Sequence, residues 1–209
     1  MSIWTSDRPG RMRMAVSLSA MLFLSACMGD VGAFGLSGPG GGKAKAVREL
    51  PLFRGAVVVR APDGYCVDAA HVTRGPSATV VPLATCGSLT GEGYVPVEPA
   101  LMTVSVLPKR FGAEQPTAAE LAASLAPVEV SNAEDGDGIA LVRVSNGGET
   151  RLPEGDPRYW RGAMEVNGHI VGLALYGRTD GGLSGAEGRR LMLDLAEALR
   201  SASTKAAPG

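Results

Sequence analysis

Tyr159-Trp-Arg-Gly-Ala-Met-Glu-Val-Asn167-Gly168-His-Ile-Val-Gly-Leu-Ala-Leu-Tyr176 is the stretch that decides the fold. Asn-Gly between two runs of alternating apolar residues favours a two-residue type I′ turn, because both central residues of that turn need positive φ. The register follows from the loop. Val166 opposes His169, Met164 opposes Val171, Gly162 opposes Leu173 and Trp160 opposes Leu175, and this face is the core face. The opposite face pairs Glu165 with Ile170, Ala163 with Gly172, Arg161 with Ala174 and Tyr159 with Tyr176. Either it meets solvent, or its small residues let a helix lie close.

Upstream of the hairpin, turn residues punctuate short apolar runs. Gly55 to Arg60 reads as a strand, Pro62-Asp63-Gly64 as a turn and Tyr65 to Asp68 as a short strand. Ala78 to Ala84 reads as another, which Pro82 confines to an edge, because proline cannot donate to a ladder. In Leu101 to Leu107, Met102, Val104 and Val106 face inward while Thr103 and Ser105 face outward. Ile139 to Val144 is apolar on nearly both faces and belongs inside a sheet. Pro116-Thr117-Ala-Ala-Glu120 fits a capping box, after which Leu121 and Leu125 share a face until Pro127. Ser184-Gly-Ala-Glu187 repeats the pattern ahead of a helix whose apolar stripe runs through Leu191, Leu195, Ala198 and Leu199. The fold class is α+β: a mostly antiparallel sheet with two packed helices.

Composition bounds the function. The chain has 209 residues, 20 basic against 21 acidic side chains and 45% hydrophobic residues, which excludes wholesale disorder and a polybasic nucleic-acid binder. The 29 glycines and 14 prolines predict many turns and at least one loose segment.

The amino end carries Arg8, Arg11 and Arg13 ahead of the apolar run from Met14 to Leu24. That run is too short for a membrane-spanning helix, which needs about 20 residues, and suits a secretory signal. Leu24-Ser25-Ala26-Cys27 resembles the lipobox of bacterial lipoproteins. The resemblance implies cleavage before Cys27 and acylation of its thiol and new amino group, a hold far stronger than one myristoyl chain supplies. Met28 stands where an aspartate would resemble an inner-membrane retention signal, which favours the outer membrane. Residues 1–26 are thus read as signal peptide and 27–47 as a lipidated cysteine with a Gly-rich flexible tether. A single globular domain is expected over 48–203, with a disordered tail over 204–209. The meander, hairpin and terminal helix from about Leu101 to Ser203 resemble the PsbP/Mog1-like proteins. That resemblance implies an α-β-α sandwich and transfers no site residues.

In an exported, oxidising location the natural reading of Cys66 and Cys86 is a disulfide. The spacing is not Cys-x-x-Cys, and with only two thiols and distant histidines a metal site is less apt. His71 and His169 are the only bases of near-neutral pKa, and both read as structural or solvated. No serine sits in a Gly-x-Ser-x-Gly elbow. Glu134-Asp135-Gly136-Asp137-Gly138 invites a calcium reading, but EF-hand spacing would put Ala133 and Val144 at ligand positions, so a solvated turn is expected. The segment Arg151 to Arg161, with Tyr159 and Trp160, could form a ligand rim, but such aromatics more often cap a core.

No catalytic residue, metal ligand or cofactor is assigned, and the ligand-binding residues remain unspecified. The expected function is a lipid-anchored cell-envelope protein, facing the periplasm, that binds a protein partner or supports assembly. Its contacts are then the membrane through acylated Cys27 and an envelope protein, with no nucleic acid. The alternatives are an envelope hydrolase, whose pocket would bring a histidine to acidic groups, and a small-ligand carrier, which needs an enclosed apolar cavity.

Overall fold

A computed structural model describes residues 46–91 and 96–206 of the chain. The signal segment, Cys27 and the tether up to residue 45 lie outside the described residues. Among the described residues, eleven strands and three α-helices follow in order. The strands are β1 (Ala46–Val47), β2 (Glu49–Leu52), β3 (Val57–Arg60), β4 (Tyr65–Asp68), β5 (Thr73–Arg74), β6 (Thr79–Thr85), β7 (Ala100–Val106), β8 (Val130–Gly136), β9 (Ile139–Val144), β10 (Tyr159–Val166) and β11 (His169–Gly177). The helices are α1 (Cys86–Thr90), α2 (Ala118–Ser124) and α3 (Ala186–Ala206). All strand pairs are antiparallel. The main sheet runs β1-β4-β6-β7-β11-β10-β9-β8, with β5 beside β6, while β2 and β3 form a separate pair.

The β10–β11 hairpin has the register its sequence dictates, from Val166 opposite His169 to Trp160 opposite Leu175. Asn167 and Gly168 have φ of 51° and 85°, as a type I′ turn requires. Asp137 and Gly138 repeat the device between β8 and β9, with φ of 49° and 68°. Of the acidic run read as a solvated turn, only Asp137 and Gly138 form the turn; Glu134, Asp135 and Gly136 are paired residues of β8.

One face of the sheet is sealed by α3. Met102, Val104, Leu173 and Leu175 lie buried against Met192, Leu195 and Leu199 in one continuous core. Two glycines permit this approach: a Cβ at Gly162 would press on Ile139 and Met192, and one at Gly188 would run into the Leu183 carbonyl and Trp160. Further bonds fix the helix. Trp160 Nε1 donates to the Gly185 carbonyl at 3.1 Å, and the buried Ser203 hydroxyl accepts from the backbone N–H of Val58 on β3 at 2.9 Å. Glu98 ties the segment before β7 to the approach of α3. Its carboxylate accepts from the N–H groups of Gly182 and Leu183, and its carbonyl accepts from the Tyr65 hydroxyl at 2.7 Å. Burial, then the nearby Glu98 charge, push the Tyr65 hydroxyl up to about 12.

The opposite face is covered in part, by α2 over β9 and by Leu152 with the Tyr159–Tyr176 pair over β10 and β11. Alternation along β9 sends Ile139 and Leu141 to the α3 side and Ala140, Val142 and Val144 to a second cluster with Ala118, Leu121 and Leu125 of the α2 region. This explains why β9 is apolar on both faces. The Thr117–Glu120 capping box is present at the start of α2, and Gln115 bonds the backbone of Ala163 and Glu165 where β10 runs past its pairing with β9.

Several boundaries depart from the sequence expectation. Pro82 is in an inner strand, since β6 lies between β4 and β7. The proline is tolerated because β4 pairs with Leu83 to Thr85 and β5 with Thr79 and Val80, which leaves a gap beside it on that flank. Phe53 to Gly55 is a left-handed turn, with φ of 50°, 60° and 91°, so the strand after it starts only at Val57. The carbonyl of Gly185 accepts the Arg189 N–H, which makes Gly185 the N-cap of α3. Ser184, one residue earlier, bonds the Asp156 carboxylate instead. Among the described residues, Ala46 and Val47 pair with β4 and α3 runs to Ala206.

Candidate functional site

The part of the second sheet face that the described residues leave open lies over β6 and β7. Residues that alternate away from the core, Val80 and Pro82 on β6 and Leu101 and Thr103 on β7, line a pocket of about 160 Å³ with Thr73 and His71. Val81, Leu83, Met102 and Val104 face the α3 core. Leu101, Thr103 and Val80 remain only half-buried. The pocket wall is therefore sheet surface, and its rim is the connection that carries β5 back onto β6.

Asp68 and His71 form that rim. The His71 N–H donates to the Asp68 carbonyl at 3.2 Å, and the Asp68 carboxylate accepts from the Ala70 N–H, also at 3.2 Å. This tight turn brings His71 Nδ1 to 2.6 Å from Asp68 Oδ2. An ionised carboxylate only accepts, so the Nδ1–H of His71 is the donor in this contact. The His71 side chain is 62% exposed and that of Asp68 13%. The arrangement offers an apolar floor with one polar, hydrogen-bonding edge.

Cys66 and Cys86 are joined by a disulfide with Cα atoms 4.9 Å apart. It links β4, which ends at Asp68, to the start of α1 just after β6. A short helix in which Thr85 caps the Ser88 N–H and Gly91, at φ 72°, closes the last turn follows directly. The bridge thus ties together the two strands whose continuations build the pocket.

The other candidate residues are separate from this site. His169 is buried at the hairpin turn, where its Nδ1 lies 2.7 Å from the Leu107 carbonyl and its ring 4.4 Å from that of Phe53. Tyr159 and Tyr176 stack at 4.9 Å beside Leu152 and Ala174, so the suspected aromatic rim closes over the sheet. Within that rim Asp156 is buried and accepts from the Arg158 backbone, Nε and Nη2 at 2.8, 3.0 and 2.8 Å. The Arg158 guanidinium, with help from Ser184, holds its carboxyl down at about 2. Between α3 and residues 48–63 runs an open groove of about 800 Å³. Its arginines, Arg48 and Arg60, are already paired with Asp63 and Glu49. Among the described residues no group of three His, Cys, Asp or Glu side chains is placed to hold a metal ion.

Known proteins supply no assignment for this arrangement. No family model matches the sequence, and no curated protein or solved structure matches it.

Sequence reading placed His71 in a polar connection but did not find its pocket. The available signal was the pair of outward-facing apolar residues, Val80 and Leu101, at positions where a solvated sheet would carry polar ones.

Proposed function

We propose that this chain is a lipid-anchored protein of the bacterial cell envelope, held on the periplasmic side of the outer membrane by acylated Cys27, whose globular domain docks a protein partner on its uncovered sheet face. The pocket over β6 and β7 carries this reading: an apolar surface left open beside a sealed core. Its 160 Å³ is smaller than the roughly 300–1,000 Å³ typical of small-molecule sites. It suits one apolar side chain of a partner, with His71 available to hydrogen-bond beside it, and the carrier alternative needs more enclosed volume.

The cover of the sheet, α3 on one face and α2 on part of the other, supports an α-β-α sandwich of the PsbP/Mog1-like kind as the architecture. A hydrolase is the second reading, favoured by the Asp68–His71 pair on the pocket rim.

The test is in-cell crosslinking followed by mass spectrometry. The proposal predicts an envelope protein crosslinked to residues of β5–β7 and a mature amino end whose mass includes acyl chains on Cys27. Turnover by the purified protein that disappears in His71→Ala, together with no crosslinked partner, would favour the hydrolase. A Cys27→Ser chain that still fractionates with membranes after the same processing would contradict the anchor.

A further inference from the structure

We propose that the end of the domain carrying the β10–β11 turn rests on the membrane surface that holds the chain, inserting Phe111 among anionic lipid headgroups; this rests on the anchoring read from Cys27. Register puts Thr79, Val106, Val166 and His169 at one end of the sheet. Two segments flank the Asn167–Gly168 turn there. On one side the Arg110 N–H donates to the Gly168 carbonyl at 3.0 Å and the Lys109 stem packs along Gly168, which carries the loop out to Phe111, fully exposed. On the other side the Asn167 amide donates to the Ala56 carbonyl at 2.8 Å. This holds the left-handed turn that displays Arg54 and Phe53, the latter 39% exposed while stacked on His169.

Two of the three large exposed apolar side chains among the described residues are therefore at this end, with three cations beside them. Arg54, Lys109 and Arg110 form no ion pair among the described residues, as is also true of Arg74, Arg143, Arg151, Arg161 and Arg190; what marks these three is that they lie beside the exposed Phe53 and Phe111. Nearby, the Glu165 carboxylate accepts from the Gly168 N–H, and Glu114 is the remaining acid of the loop. Aromatic residues with unpaired cations form the chemistry of an interfacial contact, in which the ring enters the headgroup layer and the cations meet lipid phosphates.

The course of the chain supports the same orientation. Ala46 pairs with Asp68 and Val47 with Val67, while Val67 lies opposite Leu83. The backbone therefore enters β1 from the side of the sheet on which Thr79 and the hairpin turn lie. Ala46 is nineteen residues after Cys27, and a Gly-rich coil of that length spans roughly 25 Å, short enough to keep this end near the leaflet.

The probe is Phe111→Trp in the full chain, read by fluorescence. Trp4 leaves with the signal segment, so in the acylated mature chain the buried Trp160 supplies a constant background. Acylated protein in phosphatidylcholine vesicles containing phosphatidylglycerol should show a blue-shifted emission that brominated lipid quenches. In pure phosphatidylcholine the emission should stay water-like. The mature-length chain, residues 27–209 with Cys27→Ser and neither signal segment nor acyl groups, should still associate with the anionic vesicles, and Arg54→Gln/Lys109→Gln/Arg110→Gln should weaken that association on the order of 100-fold, about fivefold for each cation. An F111W emission that stays water-like and open to iodide on anionic vesicles overturns the proposal, as does quenching that persists unchanged in the triple variant. Shielding that appears only when other envelope proteins are added assigns this end to a protein partner and overturns it too. An acyl-free mature protein, seen by mass, would sink the anchoring reading alone, because the Cys27→Ser arm tests the surface contact without it.

Discussion

The two faces of the main sheet are built from the same strands and treated in opposite ways. On the α3 side, Met102, Leu173, Leu175, Met192, Leu195 and Leu199 are almost wholly shielded from water and interdigitate in one core. On the other side, α2 covers only the β9 end, and over β6 and β7 Val80, Leu101 and Thr103 stay half-open beside the Asp68–His71 pair. The contrast separates side chains that carry stability from side chains that the fold leaves free. A side chain on the sealed face answers to its neighbours, whereas one on the open face can change with little cost to folding.

The largest effect expected from breaking the sealed face is that of Leu195→Ala, which should cost about 3–4 kcal/mol by leaving a cavity that α3 cannot collapse into. Chemical denaturation of the variant checks it. Reducing the Cys66–Cys86 bridge acts on the strands that lead to the open face. The bridge closes 20 residues of sequence, so its loss should cost about 3 kcal/mol on the chain-entropy view. Calorimetry with and without reductant measures this.

Asp156→Asn should cost about 2 kcal/mol, because the Arg158 and Ser184 bonds to the buried carboxylate weaken together. The sign with pH follows from the lowered value. A carboxyl held at about 2 against an ordinary 3.8 binds fewer protons when folded. Its contribution is full above the ordinary value and is lost as pH falls through about 2. Thermal melts between pH 5 and about 2 should therefore fall more steeply for the natural chain than for the variant.

The smallest effect sharpens the comparison. His71→Ala on the open rim should change stability by less than about 0.5 kcal/mol, while lowering partner capture in the crosslinking assay.

Legibility in the sequence divides along similar lines. Asn167-Gly168, the Met102-Val104-Val106 alternation and the Thr117–Glu120 box each carry a local signal strong enough to set register or a helix start, and all three appear as read. β8 carried none. Ser131-Asn132-Ala133-Glu134-Asp135 is polar because this edge strand is exposed, and it is held by β9, by the Arg189–Glu134 pair and by Asp135 accepting from the Ala118 N–H. Pro82 misled for a related reason, since only the partition of its flank between β4 and β5 makes room for it. The candidate site was hidden because its wall comes from three strands and its rim from a turn. No single stretch of sequence brings Asp68, Val80 and Leu101 together.

The most direct test of docking on the open face places a photo-crosslinking residue at Thr103, in the pocket wall, or at Arg190, exposed on α3. The account predicts a discrete crosslinked envelope protein from position 103 that is absent from position 190 and diminished by His71→Ala. Equal capture from both positions, or capture from position 190 alone, would contradict it.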